Sequence, residues 1–255
     1  MSSRSHVEGL NLLHVALESG EGFIKVVGEI GTGKTLLCRR FLAELGPDWK
    51  AAYLPNPQME VRDFLIEVAD ELGCEVGAPE APHVIKRLNR RLLELAGQNI
   101  KVVLCIDEAQ TMPRLTLESL RLLSNLETEK RKLLHIIMFG QPELDEMLAA
   151  HSARQLRQRI AFNHSLQPLT AEETGEYVVQ RLVKAGQRGD SLFAPAAIKA
   201  MHHHSGGTPR LLNILGHKAL MLAFGEGRTQ VTARHVRSSA HDTDGAHKSL
   251  FWWPW

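Results

Sequence analysis

Long apolar runs are missing from this 255-residue sequence. None approaches the ~20 consecutive residues that a membrane-spanning helix needs, and the opening MSSRSHVEGL is too polar for a secretory signal. Cysteine is scarce. Cys38, Cys74 and Cys105 are odd in number, far apart and set in apolar segments. That pattern argues against a disulfide framework or a metal cluster and for buried reduced thiols. Neither charge is in excess, with 30 Lys and Arg against 29 Asp and Glu. Nothing global therefore draws the chain to nucleic acid or to anionic lipid, although a local patch would escape that count. Aromatic residues make up only 5%, and three of the four tryptophans fall in the closing FWWPW. That end is either an unimportant tail or a contact for a partner or a lipid interface. Together these absences point to a cytoplasmic protein.

What is present is an ordinary globular balance, 44% hydrophobic and 23% charged, in a chain long enough for one core and a small satellite. FIKVVGE, AAYLP, KVVLCID and KLLHIIMFG have the length and character of buried strands, and AFNHSLQPL supplies a fifth. Amphipathic helical patterns such as VRDFLIEVADELG and VIKRLNRRLLELAG lie between them. Short strands alternating with helices predict an α/β fold, a five-stranded parallel sheet covered on both faces. Near Pro168 the character changes. Thr170 with Glu173 three residues on marks a capping box, and only helical segments follow. Residues 1–168 are thus expected to form the α/β domain, 169–240 a small all-helical lid domain, and 241–255 a mobile tail with an aromatic end.

Gly28-Glu29-Ile30-Gly31-Thr32-Gly33-Lys34-Thr35 follows the strand FIKVV and precedes the helical TLLCRRFLAEL. Glycines at 28, 31 and 33 let the backbone bend so that its N–H groups surround phosphate oxygens, and the helix start at Leu36 adds a favourable field. Glu29, Ile30 and Thr32 complete the loop expected to touch the nucleotide. Lys34 reaches the terminal phosphates and the Thr35 hydroxyl ligates Mg2+. A glycine-rich structural turn is the weak alternative. KVVLCIDEAQ is an apolar strand ending in Asp107 and Glu108, at the carboxyl edge where open α/β sheets bind ligands. Asp107 is placed to hold Mg2+ through water and Glu108 to polarise an attacking water. A lone solvated acidic strand end is the competing reading. No guanine-reading motif is visible, so the nucleotide expected is ATP.

Three further places carry weaker signals. Gln141 ends the strand KLLHIIMFG, where it is suited to sense the terminal phosphate or orient the water; a bland Gln-Pro turn competes. HSARQLRQRIAF holds Arg154, Arg157 and Arg159. These are either a solvated helix face or the source of an arginine finger entering a neighbouring subunit, with Arg159 the first choice and Arg157 the second. In GGTPRLLNIL, Pro209 suits a first helical turn and leaves Arg210 free to point back towards the nucleotide as a second phosphate sensor, or to be a surface arginine. His202, His203 and His204 are consecutive, so they fan out around a helix and share no metal face.

In this order the five elements resemble those of the AAA+ ATPases, a P-loop NTPase group. More narrowly, GEGFIKVVGEIGTGKTLLCRRFL, VVLCIDEAQ, LRLLSNLETEKRKLLHIIMFGQPEL and RQLRQRI resemble the ExeA-type secretion ATPases, especially the MshM type of mannose-sensitive haemagglutinin (MSHA) pilus biogenesis. The resemblance covers roughly residues 5–240. It implies an ATP- and Mg2+-dependent ATPase that forms a homo-oligomer and helps assemble a type IV pilus or secretion apparatus. It also implies the AAA+ roles for Lys34, Thr35, Asp107, Glu108, Gln141 and Arg210, partners among inner-membrane assembly proteins, and a place in the cytoplasm or peripherally at the inner membrane. The ExeA branch carries a membrane segment and a cell-wall-binding domain after its ATPase, and the length of this chain favours the shorter MshM-like form. Relatives usually carry further residues ahead of RSHVEGLNLL, including part of the adenine-binding surface. Either the start is truncated or adenine is held differently here. A DNA-binding regulator of the transposition or replication-loader type shares the same core and lid. The near-neutral charge and the lack of an appended helix-turn-helix weigh against it. A non-hydrolysing ATP-gated scaffold is a third reading, which Glu108 disfavours.

Overall fold

The computed structural model describes residues 3–74, 81–126 and 132–248. The apolar runs become the strands of one sheet: β1 Phe23–Gly28, β2 Trp49–Leu54, β3 Lys101–Ile106, β4 His135–Gly140 and β5 Ile160–Leu166. Their order is β2-β3-β4-β1-β5, and every pair is parallel. The predicted five-stranded parallel sheet is therefore present. Parallel pairing demands crossovers, and helices supply them on both faces.

Alternation along β1 shows how one strand serves two cores. Phe23 and Val27 join the cluster built with α3 (Val61–Glu71), α4 (Ala81–Gly97) and α5 (Arg114–Ser124). Ile24 and Val26 face the other way, towards α1 (Arg4–Glu18) and α2 (Lys34–Glu44). Leu10, Leu13, Ala16 and Leu17 give α1 its buried stripe. The short α6 (Glu143–Ala149) and α7 (Arg154–Arg157) lead from β4 to β5. Because all strands run the same way, their carboxyl ends meet at one edge of the sheet and their amino ends at the other.

The chain divides into two compact units, one of Arg4–Leu166 and one that begins at Gln167. The second is helical: α8 Ala171–Lys184, α9 Pro195–Ser205, α10 Pro209–Gly225 and α11 Ala233–His241. The capping box forms as its spacing predicted. The Glu173 amide donates to Thr170 Oγ1 at 3.2 Å, and the Thr170 amide donates to Glu173 Oε2 at 2.9 Å. Leu169, Phe193, Met201, Leu212 and Val236 are among the side chains at its core.

Two expectations need adjusting. Residues 241–248, read from sequence as the start of a mobile tail, are anchored through the buried Thr243 and Ala246, the others being exposed. Ala246 closes a small cluster with Leu215 and Ala240, and the His247 amide donates to the His204 carbonyl at 2.8 Å. The aromatic end, 249–255, lies outside the described residues. Of the three free thiols, Cys38 and Cys105 are buried but Cys74 is only half-buried, since it follows the left-handed Gly73 turn that ends α3. Of the three histidines, His202 Nδ1 meets Thr174 Oγ1 at 3.1 Å, His204 is buried against the His247 carbonyl, and His203 is exposed with its ring 5.0 Å from that of His204 in a T-shaped contact.

Candidate active site at the carboxyl edge of the sheet

β1 ends at Gly28 and α2 begins at Lys34. Between them the chain folds back on itself: Thr32 Oγ1 donates to the Glu29 carbonyl at 2.8 Å. Gly31 and Gly33 have φ of 82° and 101°, conformations that only glycine takes without strain. Space is short as well, for a Cβ on Gly33 would lie 2.8 Å from His6 Nε2 of α1. Thr32 and Lys34 are buried. Ile30 and Leu36 point outward, 56% and 64% exposed, so the loop offers backbone N–H groups beside apolar side chains.

The Lys34 ammonium donates to the carbonyls of Gly28 at 2.8 Å and Glu29 at 3.2 Å. Burial lowers its pKa, and the nearby carboxylates, Glu108 first and then Asp107, oppose that shift. Thr35, in the first turn of α2, donates its hydroxyl to Asp107 Oδ2 at 2.6 Å. Asp107 is 2% exposed. Its other oxygen accepts the Glu108 amide at 3.0 Å, and Tyr53 OH of β2 approaches Oδ2 at 3.4 Å. Burial, followed by the Asp107 charge, raises the Tyr53 pKa. Thr35 and Asp107 thus form a hard oxygen pair of the kind that holds Mg2+ together with phosphate oxygens.

Glu108 leaves β3 in the left-handed region, φ 50° and ψ 38°, uncommon for a residue with a side chain and a mark of functional sites. The turn is pinned by Thr111, whose amide and hydroxyl both donate to the Glu108 carbonyl at 2.8 Å. The carboxylate Oε2 accepts from Gln110 Nε2 at 2.5 Å and from Gln141 Nε2 at 3.2 Å. Lys34, Thr35, Asp107, Glu108 and Gln141, distant in sequence, therefore meet at one edge.

Arg159 does not meet them. It directly precedes β5, at the amino edge, where it is exposed and its guanidinium bonds Ser124 Oγ. Arg154 and Arg157 are exposed in α7, and Arg157 lines a pocket with Lys25 and Asp145, which form an ion pair. Arg210 is exposed in the first turn of α10, within the second unit. The sequence reading missed Gln110, Tyr53 and His6. Only Gln110 left a trace, as a polar residue just past the acidic pair in DEAQ.

Comparison with known proteins bears on the family and the fold. Residues 17–148, just over half of the 255, match the family described as an AAA domain. The General secretion pathway protein A of Aeromonas hydrophila is 37% identical over 252 residues, 98% of this chain; the chain spans 46% of that relative's length. Among solved structures, Cdc6p from Pyrobaculum aerophilum superposes with a TM-score of 0.71 at 18% identity, covering 93% of this chain and 66% of that one. The ORC2 protein of Aeropyrum pernix gives 0.66 at 17% identity, over 96% and 68%. The RuvB Holliday junction branch migration motor of Thermotoga maritima gives 0.61 at 17% identity, over 93% and 68%. Such distant likenesses carry the fold alone. With its phosphate loop, acidic strand end and polar β4 terminus in place on the β2-β3-β4-β1-β5 sheet, the chain belongs to the AAA domain family.

Proposed function

We propose that this protein hydrolyses ATP with Mg2+, works as a homo-oligomer, and serves the assembly of a secretion apparatus or a type IV, MSHA-like pilus. The observation that carries the hydrolysis is the closed polar cluster in which Thr35 bonds Asp107 and Gln141 bonds Glu108. ATP would bring the reactive phosphoanhydride, and Mg2+ would neutralise charge on its phosphates. The residues 28–36 bind the phosphate chain, Lys34 compensates its charge, and Thr35 with Asp107 hold the ion. Glu108 orients and polarises the attacking water, and Gln141 reads the terminal phosphate from the end of β4.

The oligomer rests on the position of Arg159. β5 is seven residues long, so at ~3.3 Å per residue roughly 20 Å separate its two ends. Arg159 at the amino edge is too far from its own phosphate loop and serves a second copy. A groove of about 440 Å³ is lined by Val61, Leu115, Leu122 and Leu156 together with polar side chains such as Glu118, Arg121 and Gln155, with Leu115 65% and Leu122 41% exposed. Exposed leucines among polar side chains suit a subunit contact. Arg210 couples movement of the helical unit to the terminal phosphate. The secretion role is supported by the likeness to General secretion pathway protein A, and the pilus role by the sequence motifs alone. We place the protein in the cytoplasm or peripherally at the inner membrane; no helix among the described residues is long and apolar enough to cross a membrane.

The test is ATP turnover measured together with particle size across protein concentration, with and without duplex DNA. Turnover that rises with assembly and ignores DNA is expected. Turnover and assembly that both require DNA, with steep salt dependence, would replace the secretion reading with the DNA-regulator one.

A further inference from the structure

Glu108 and Gln141 stand 33 residues apart in sequence, yet one carboxamide ties both to a common point. Gln110 Nε2 donates to Glu108 Oε2 at 2.5 Å, while Gln110 Oε1 accepts the backbone amide of Gln141 at 2.9 Å. The orientation of that carboxamide is unambiguous, because a backbone N–H only donates and an ionised carboxylate only accepts. Gly140 makes room for it. A Cβ there would press to 2.8 Å against Leu144 Cδ2 and 3.3 Å against Gln110 Oε1.

We infer that Gln110 is a positioning residue for hydrolysis, holding the Glu108 carboxylate by one oxygen to the end of β4 so that the other is presented to the water. The inference rests on the proposed ATP hydrolysis and names a part of that site which the motifs do not. The side chain of Gln141 cannot serve as the permanent anchor. It bonds the same Oε2, at 3.2 Å, and must leave it to reach a terminal phosphate. Gln110 uses the backbone of Gln141 rather than its side chain, so its hold survives that departure. Glu108 needs such a hold. Its backbone is in the left-handed region and its side chain only half-buried, so little packing fixes the carboxylate. The backbone contact also makes the setting of Glu108 depend on the β4–α6 junction, where Gln141 senses the nucleotide.

Two variants separate this role from a structural one. Gln110→Glu keeps the shape and the acceptor for the Gln141 amide but loses the donor to Glu108. Gln110→Met keeps the length and loses both bonds. For each, kcat with saturating Mg2+ and ATP and the Kd of a fluorescent ATP analogue are measured, alone and combined with Glu108→Gln. Both variants should lower kcat about 10- to 100-fold, the worth of one hydrogen bond to a charged group, with Kd unchanged. In the Glu108→Gln background neither should lower the residual rate further, because Gln110 acts only through that carboxylate. Full kcat in both variants, an equal loss in the Glu108→Gln background, or loss of analogue binding by both would overturn the inference. In each of those cases the loss in Glu108→Gln itself stands, and with it the hydrolysis reading. Full turnover in Glu108→Gln would remove both.

Discussion

At the carboxyl edge of the sheet the polar side chains are locked to one another in one chain; at the amino edge they make separate contacts, some buried and some exposed. Thr35, Asp107, Glu108, Gln110 and Gln141 form a continuous hydrogen-bonded chain from α2 across β3 to β4. At the opposite ends of the same strands, Lys101 lies 5.2 Å from the centroid of the Trp49 ring, the rings of Trp49 and His135 meet in a T-shaped contact, and Arg159 holds a serine hydroxyl. Bond-making inside one molecule requires groups fixed beforehand in a site shielded from water. The amino edge lacks that closure, and its exposed arginines are suited to complete a site on another molecule. The proposed function makes the two edges complementary halves of one catalytic assembly.

The sharpest way to break that comparison is at Arg159. Arg159→Ala should lower kcat about 10³-fold while leaving the Kd for ATP within about twofold, since the residue touches no part of its own phosphate loop. A comparable loss of affinity would mean that the arginine serves its own subunit. Lys34→Ala tests the other edge and should weaken nucleotide binding as well as turnover. Removing a charged donor from the phosphates costs about 10- to 100-fold in affinity, read by titration with a fluorescent ATP analogue, and the thermal unfolding midpoint without nucleotide should not fall.

The smallest effect concerns stability at the amino edge. Burial lowers the pKa of His135 beneath its ordinary value near 6.5, aided by the charges of Lys132 and Lys101 and opposed by the bond to the Glu21 carbonyl. The unfolded chain then binds the extra proton more readily than the folded one. The stabilisation is fully present above about pH 6.5 and declines as pH falls below it. Unfolding midpoints from pH 8 to 5 should show that decline, and His135→Asn, which keeps a donor for Glu21 and cannot titrate, should flatten it. An identical decline in the variant would assign the effect elsewhere.

The three central strands were readable because they are buried on both faces, which leaves unbroken apolar runs such as KVVLCI and HIIMFG. Boundaries were less so. β4 begins at His135 rather than Lys132, because the Leu133 amide bonds the Leu126 carbonyl outside the sheet. α1 was overlooked although Leu10, Leu13, Ala16 and Leu17 have helical spacing; a polar start masked it. The gathering of Lys34, Thr35, Asp107, Glu108 and Gln141 at one edge was legible because a glycine loop between strand and helix, and apolar strands with polar ends, are spacings a linear pattern displays. Gln110 was not. Its role depends on a left-handed turn at Glu108 and on a backbone amide from another strand, neither of which a linear pattern displays.

The most direct measurement mixes two crippled variants. Arg159→Ala keeps a complete carboxyl edge, and Glu108→Gln keeps a complete amino edge. If one site is shared between copies, mixing them should restore turnover well above the sum of the two separate rates, at concentrations where the protein assembles. A mixture no more active than its components, under conditions where wild-type protein assembles and turns over ATP, would contradict the account.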